Sequence, residues 1–154
     1  MPIGLWKLLH LFFAFSYVGS LVVAEWNGRA ARATQDWSVR ALLHRIVYLS
    51  TRVAGLGPLF LVGVFGNVLA VSLGYRMAAS WLMCVNGVWL AAMLGMALLT
   101  LPNARLLAEL SNQATTGSPP ERYPQALARW RFGNVVQSVL YLTLLALMVF
   151  RWRS

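Results

Sequence analysis

Residues 54–73 read AGLGPLFLVGVFGNVLAVSL, twenty consecutive residues without an ionisable side chain. As an α-helix rising about 1.5 Å per residue, this stretch is about 30 Å long, which matches the hydrocarbon core of a bilayer. The rest of the chain has the same character, because 59% of its 154 residues are hydrophobic and only 11% are charged. The sequence therefore predicts an integral membrane protein.

Hydropathy predicts one domain with four spans, at about residues 5–24, 54–73, 81–101 and 132–150. Residues 36–53 form a predicted amphipathic helix that leads into the second span, with Thr34 or Asp36 as its cap. The Gly-Leu-Gly-Pro run that ends at Pro58 predicts a kink, and Pro102 predicts an exit from the third span or another bend. The expected fold is all-α, an antiparallel four-helix transmembrane bundle.

The chain carries a net charge of +9, from twelve arginines and Lys7 against four acids. Basic residues beside apolar spans indicate topology and contact with anionic headgroups rather than nucleic acid. Nine of the thirteen lie in the first and third connections, which predicts that both termini are outside the cytoplasm. The lipid bilayer is thus the first expected partner. Trp152, between two arginines, is a predicted interfacial anchor.

Small residues recur at four-residue intervals along the third span, at Gly87, Ala91 and Gly95. Such a stripe lets another helix backbone approach closely. It predicts a helix-packing face, and it favours other membrane subunits or a second copy of this chain as partners. The single cysteine, Cys84, is expected to be a small packing residue.

Polar side chains recur at similar depths in the four spans. An outer layer is expected from four of them: His10, Asn67, Asn86 and Thr143. A second layer is expected from Ser20 and Gln137. One interpretation is that these groups hydrogen-bond across helices and hold the bundle in register. The other centres on His10, because an ionisable residue inside a span is costly and often functional.

Imidazole is a common axial ligand of haem iron, so His10 is a candidate haem ligand, with Met83 or Met148 as candidate second ligands. His44 is predicted on the opposite side of the membrane, where contact with headgroups or a carboxylate is expected. We predict no catalytic residue and no other metal site, because the spans lack acids and the usual catalytic and metal-binding motifs are absent.

The run LLHLFFAFSYVG (residues 8–19) resembles the first span of a bacterial group of small integral membrane proteins of unknown function. The likeness continues at Gly57-Pro58, at Leu101-Pro102 and at residues 147–149. That group resembles the J-type protoporphyrinogen oxidases and the copper-resistance D proteins. The resemblance implies a bacterial inner-membrane protein, and it implies haem b binding at the position of His10.

Three hypotheses of function follow. The first is a non-catalytic subunit, or an assembly or stabilising partner, of a larger membrane complex, without a cofactor. The alternative is a haem-b protein in membrane electron transfer or haem handling, with His10 as axial ligand. The third is a small transporter component, since the glycine-rich entrance to the second span is compatible with a broken helix.

Overall fold

The computed structural model describes residues 3–115 and 120–150, which are almost entirely helical and include no β-strand. Four helices in this part of the chain are long and apolar enough to cross a membrane: Ile3–Ala33, Trp37–Ser72, Ser80–Ala114 and Tyr123–Val149. Each of these helices contains one predicted span and is longer than it. The last residues of the second and fourth predicted spans, 73 and 150, lie just outside the helices. The predicted anchor Trp152 lies outside the described residues.

The first and last long helices are single α-helices, α1 (Ile3–Ala33) and α6 (Tyr123–Val149). The two middle helices each contain a π-helical turn. The second long helix consists of α2 (Trp37–Ser50), a π-helical turn (Thr51–Leu56) and α3 (Gly57–Ser72). The third consists of α4 (Ser80–Gly95), a π-helical turn (Met96–Thr100) and α5 (Leu101–Ala114).

Both π-helical turns lie immediately before a proline, Pro58 in α3 and Pro102 in α5. A proline inside a helix has no N–H to donate, and its ring clashes with the carbonyl four residues earlier. A wide π-helical turn relieves this clash without ending the helix. Pro102, predicted as the exit from the third span or another bend, lies inside a helix that continues to Ala114. Likewise the helix continues through Pro58.

The connections are short. Asp36 caps α2 as predicted, and its carboxylate accepts hydrogen bonds from the backbone N–H groups of Ser38 and Val39 at 2.8 and 3.4 Å. Gly74 permits the turn after α3, because its φ of 81° is a left-handed conformation that favours glycine. The described residues between the third and fourth predicted spans are mostly helical, in α5 and in the start of α6.

The helices form two regions that differ in packing. The arginine-rich end comprises α2, α5, the C-terminal part of α1 and the N-terminal part of α6. Its core is a cluster that includes Val47, Leu107 and Trp130, all fully buried. The cleft end comprises α3, α4, the N-terminal part of α1 and the C-terminal part of α6. Here α3 packs mainly on α1 and α4 mainly on α6, while α3 and α4 touch little.

The amphipathic helix α2 turns its histidine inward. His44 and Val47 are buried, and Tyr48 packs against the core cluster. Most of the aliphatic side chains of α2 and the following turn are exposed: Val39, Leu42, Ile46, Leu49 and Val53. Arg40 and His44 thus turn toward the protein, whereas Arg45, Arg52 and much of the aliphatic surface are exposed.

Candidate functional site

A cavity of about 220 Å³ lies at the cleft end, between the pair α1 and α3 and the pair α4 and α6. Its walls are mostly apolar, and three polar side chains converge on it: His10, Asn67 and Asn86. Gly63 and Gly66 of α3 also line it. Their missing side chains leave room for the Trp89 ring and the His10 ring, which lie 2.1 and 3.0 Å from where a Cβ would be.

His10 has one ring nitrogen fixed by the backbone. Its Nδ1 lies 2.9 Å from the carbonyl oxygen of Val62 in α3. Because a carbonyl only accepts hydrogen bonds, Nδ1 carries the proton in this bond. In the neutral ring the lone pair then resides on Nε2, which is the form of imidazole that binds a metal. Ligating histidines commonly have this arrangement, with the other ring N–H donated to a backbone carbonyl.

Asn67 and Asn86 bond to each other across α3 and α4. Each side-chain amide donates one hydrogen bond to the other's oxygen, at 2.9 and 3.0 Å. Asn67 also donates to the carbonyl of Gly63 at 2.9 Å. This reciprocal pair and the hydrogen bond from Trp89 Nε1 to the Leu59 carbonyl join α3 and α4, whose backbones have few contacts.

The structure does not bring Thr143 into the predicted outer layer. The Thr143 side chain is exposed, and its hydroxyl donates to the carbonyl of Val139 in its own helix. A threonine in a helix commonly satisfies its hydroxyl in this way, and sequence depth alone does not reveal it. The two methionine candidates also separate: Met148 lines the cavity, whereas Met83 is 61% exposed and does not.

The structure places Gln137 of the predicted second layer in the interior, with a partner, Tyr17, that sequence reasoning missed. Gln137 is fully buried, accepts a hydrogen bond from the hydroxyl of Tyr17 at 2.7 Å and donates to the carbonyl of Ala92 at 3.0 Å. It thus ties α1, α4 and α6 together. Ser20 is also buried, but its hydroxyl bonds the carbonyl of Tyr17 in its own helix at 2.7 Å.

The expectation for His44 is wrong. His44 is fully buried, and its Nε2 lies 3.0 Å from the hydroxyl of Tyr123, not beside a carboxylate or at the surface. Tyr123 stacks edge-on with Trp37, and the Arg40 guanidinium lies 4.2 Å above the Trp37 ring. The four-residue interval between Arg40 and His44 was visible in the sequence, but the partner on α6 is 79 residues away.

The small-residue stripe of α4 is exposed over most of its length. Gly87 and Ala91 are exposed, and nothing lies within 4 Å of where a Cβ on Gly87 would be. Gly95 alone faces the protein interior, where an added Cβ would lie 2.9 Å from Nε2 of Gln137. Cys84 is exposed as well, contrary to the expectation that it packs inside.

The described residues, 3–115 and 120–150, contain no group of three or more His, Cys, Asp or Glu side chains that could hold a metal ion. Comparison with protein-family models, with curated proteins and with solved structures found no significant match. The family resemblance therefore stays a prediction. The cleft end thus contains one nitrogen that could bind a metal, a small apolar cavity and a pair of side-chain amides. A separate feature is the outer face of α4, where the small residues Gly87 and Ala91 are exposed.

Proposed function

We propose that the protein is a non-catalytic subunit or assembly partner of a larger complex in the bacterial inner membrane, folded as an antiparallel four-helix transmembrane bundle. The observation that carries this proposal is the exposed small-residue face of α4. Gly87 and Ala91 lie four residues apart on that face, and no part of the described chain covers Gly87.

Association of helices in a bilayer depends on close van der Waals packing, because lipid is as apolar as the helix surface. Small residues allow the closest approach of two backbones, and so a stripe of them is typical of helix interfaces. The helices of this chain already bury Gly28, Gly63 and Gly95 against large or polar side chains. Gly87 differs from these three, because no atom of the described residues lies within 4 Å of an added Cβ there, and this supports a partner helix from another subunit.

Mild-detergent purification followed by native mass spectrometry tests the proposal. We expect the wild-type protein to copurify with larger subunits in fixed ratio and Gly87→Leu to lose them. Gly19→Leu is a matched control, because an added Cβ on Gly19 also meets nothing within 4 Å. A complex that survives Gly87→Leu, or a wild-type protein that purifies alone as a monomer, would contradict the proposal.

We also propose that the arginine-rich end is cytoplasmic, with both termini on the other side. Support comes from the charge distribution: nine basic residues lie at the arginine-rich end, against Lys7 and Arg76 among the described residues at the cleft end. Retention of basic residues on the cytoplasmic side is the general rule for short connections. A reporter fused to the C-terminus that is active only in the cytoplasm should be silent.

A second candidate, a haem-b protein, is favoured by the geometry of His10. The bond from Nδ1 to the Val62 carbonyl prepares Nε2 as an axial ligand, and Met148 lines the same cavity. The donor set therefore fits. The volume does not, because 220 Å³ is below the roughly 300–1,000 Å³ of pockets that enclose a drug-sized ligand. Haem would supply one-electron chemistry at this site only if α3 and α4 were further apart.

Absorption spectra of the gently purified protein, oxidised and then reduced, test the haem candidate. A Soret band that His10→Ala abolishes and His44→Gln retains would support it. Met148→Leu should then change the spectrum and Met83→Leu should not, because only Met148 lines the cavity. A colourless protein, or a band that survives His10→Ala, would exclude His10 as the ligand.

A further inference from the structure

A groove of about 770 Å³ runs between α2 and α5 at the arginine-rich end. Three arginines line it, Arg45 and Arg52 from the second long helix and Arg105 from α5, and Glu109 is the acid among the lining residues. The lining therefore has a surplus of two positive charges. Arg105 uses its Nε to bond Glu109 at 2.8 Å, an exposed ion pair of neighbouring turns.

The cationic groups converge near Tyr48. Arg52 donates a hydrogen bond to the hydroxyl of Tyr48 at 3.3 Å, and Arg105 is close enough to that hydroxyl to interact with it electrostatically. Arg45 lies seven residues before Arg52, about 10 Å along the helix and close to the same side. The groove thus presents the guanidinium groups of Arg52 and Arg105 near the Tyr48 hydroxyl and that of Arg45 two helical turns away.

The surroundings of the arginines are aliphatic. Val53, directly after Arg52, is 70% exposed, and Val64 continues the exposed aliphatic surface along α3 into the predicted span. An inorganic phosphate would contact the guanidinium groups but would leave these side chains uncovered. A phospholipid has groups for both, since its phosphate binds arginine and its acyl chains cover aliphatic surface.

The position of the groove along the helices matches the level of lipid headgroups. Arg52 lies two residues before the predicted second span, which starts at residue 54, and Arg105 lies four residues after the end of the third, at residue 101. At a rise of about 1.5 Å per residue, the Cα atoms of both arginines lie within about 6 Å of the predicted hydrocarbon boundary, measured along the helix axis. Arginine side chains at this depth reach the phosphate layer readily.

We propose that this groove is a binding site for an anionic phospholipid. The lipid phosphate contacts Arg52 and Arg105, Arg45 contacts the outer part of the headgroup, and the acyl chains extend from Arg52 toward the bilayer along the exposed side chains of Val53 and Val64. The site is independent of the proposed role as a subunit and of haem binding, because it shares no residue with the α4 face or with the cavity at His10.

Native mass spectrometry of the full-length protein in detergent, titrated with phosphatidylglycerol or phosphatidylcholine, tests the site. We expect phosphatidylglycerol to bind at least about tenfold more tightly. The triple variant Arg45→Gln/Arg52→Gln/Arg105→Gln should lose at least about tenfold in affinity for it. The matched control Arg122→Gln/Arg129→Gln/Arg131→Gln removes the same charge from α6, at the same end, and should lose less than about threefold.

Equal losses in the two triple variants would overturn the proposal, because they would show diffuse attraction rather than a site. Displacement of the lipid by millimolar glycerol 3-phosphate would also overturn it, since the headgroup alone would then suffice. If the triple variant does not fold, Arg105→Gln and Val53→Gln replace it. Each should weaken phosphatidylglycerol binding without changing the unfolding temperature, and unchanged binding in both would contradict the site.

Discussion

The arginine-rich end and the cleft end are built from equally helical chain but differ in how the helices meet. At the arginine-rich end, alanines such as Ala104 and Ala126 let the backbones approach, and Trp130 is enclosed on all sides. At the cleft end, α3 and α4 are held apart, and an amide pair and a cavity lie between them. Hydropathy is similar in all four long helices, so it does not distinguish the two ends.

The difference suggests a division of roles between the two ends. A fully packed region opens only at a large fraction of the total unfolding free energy, whereas a region with few buried contacts opens at lower cost. The arginine-rich end is therefore expected to be the stable part. The cleft end is the part in which α3 and α4 can separate, as the haem candidate requires. Matched substitutions at the two ends test this difference.

The largest effect is expected from Gly28→Ala compared with Gly63→Ala. Both glycines face a tryptophan: an added Cβ would lie 2.3 Å from Trp130 at the arginine-rich end and 2.1 Å from Trp89 at the cleft end. Trp130 is fully buried, so the clash must move the backbone, and we expect a loss of about 2–3 kcal/mol in the free energy of unfolding. Trp89 lines the cavity and has space to move.

For Gly63→Ala we therefore expect a loss of about 1 kcal/mol, the cost of the hydrogen bond from the Trp89 Nε1 to the Leu59 carbonyl. Thermal unfolding in detergent measures both variants. At about 2–4 °C per kcal/mol for a chain of this size, the first should lower the midpoint by several degrees more than the second. Equal shifts would show that the cleft end is packed as rigidly as the other.

A smaller effect is expected from Tyr123→Phe, which removes the hydroxyl bonded to His44. The ring of His44 is fully buried, and its Nδ1 already has no hydrogen-bond partner among the described residues. Losing the remaining partner leaves a buried polar ring unpaired, so we expect unfolding to become easier by about 1–2 kcal/mol. Chemical denaturation in detergent measures this change.

Tyr48→Phe is the control for this experiment, because it removes a phenol hydroxyl at the same end from an exposed hydrogen bond with Arg52. Its expected effect is a few tenths of a kcal/mol at most. If the two tyrosine variants lose the same stability, the His44 contact does not contribute to the packing of the arginine-rich end.

The sequence predicted the number of long helices and the start of α2 at Asp36, because each depends on local composition or capping. It predicted a kink at Pro58 and an exit or bend at Pro102, but not the π-helical turns before them, since a π-helical turn is a response of the backbone to packing. Side-chain partners were the hardest part. Depth along a span placed His10, Asn67 and Asn86 around one cavity, but it gave no information about which way a side chain points.

Two residues illustrate this limit. Thr143 has the predicted depth but lies on the exposed side of α6, where its hydroxyl bonds its own helix. His44 was predicted to contact headgroups or a carboxylate, yet α2 turns it toward Tyr123. Rotation of a helix about its axis is fixed by contacts between elements distant in sequence. A hydropathy pattern with aliphatic side chains on most faces does not reveal that rotation.

The smallest effect is expected from the amide pair that joins α3 to α4. Replacing Asn67 or Asn86 by Leu removes both hydrogen bonds between the two side-chain amides. A double-mutant cycle should give a coupling free energy of about 0.6–1.5 kcal/mol, as for polar contacts between membrane helices. Thr143→Val is the control, because Thr143 lies at a similar depth but makes no hydrogen bond to another helix. It should change stability by only a few tenths of a kcal/mol.

In both asparagine variants, hydrogen exchange at the backbone amides of α3 and α4 should increase while exchange in α2 and α5 stays unchanged, because only the cleft end loses a connection. A coupling near zero, or exchange that increases equally at both ends, would show that the amide pair does not hold the cleft closed.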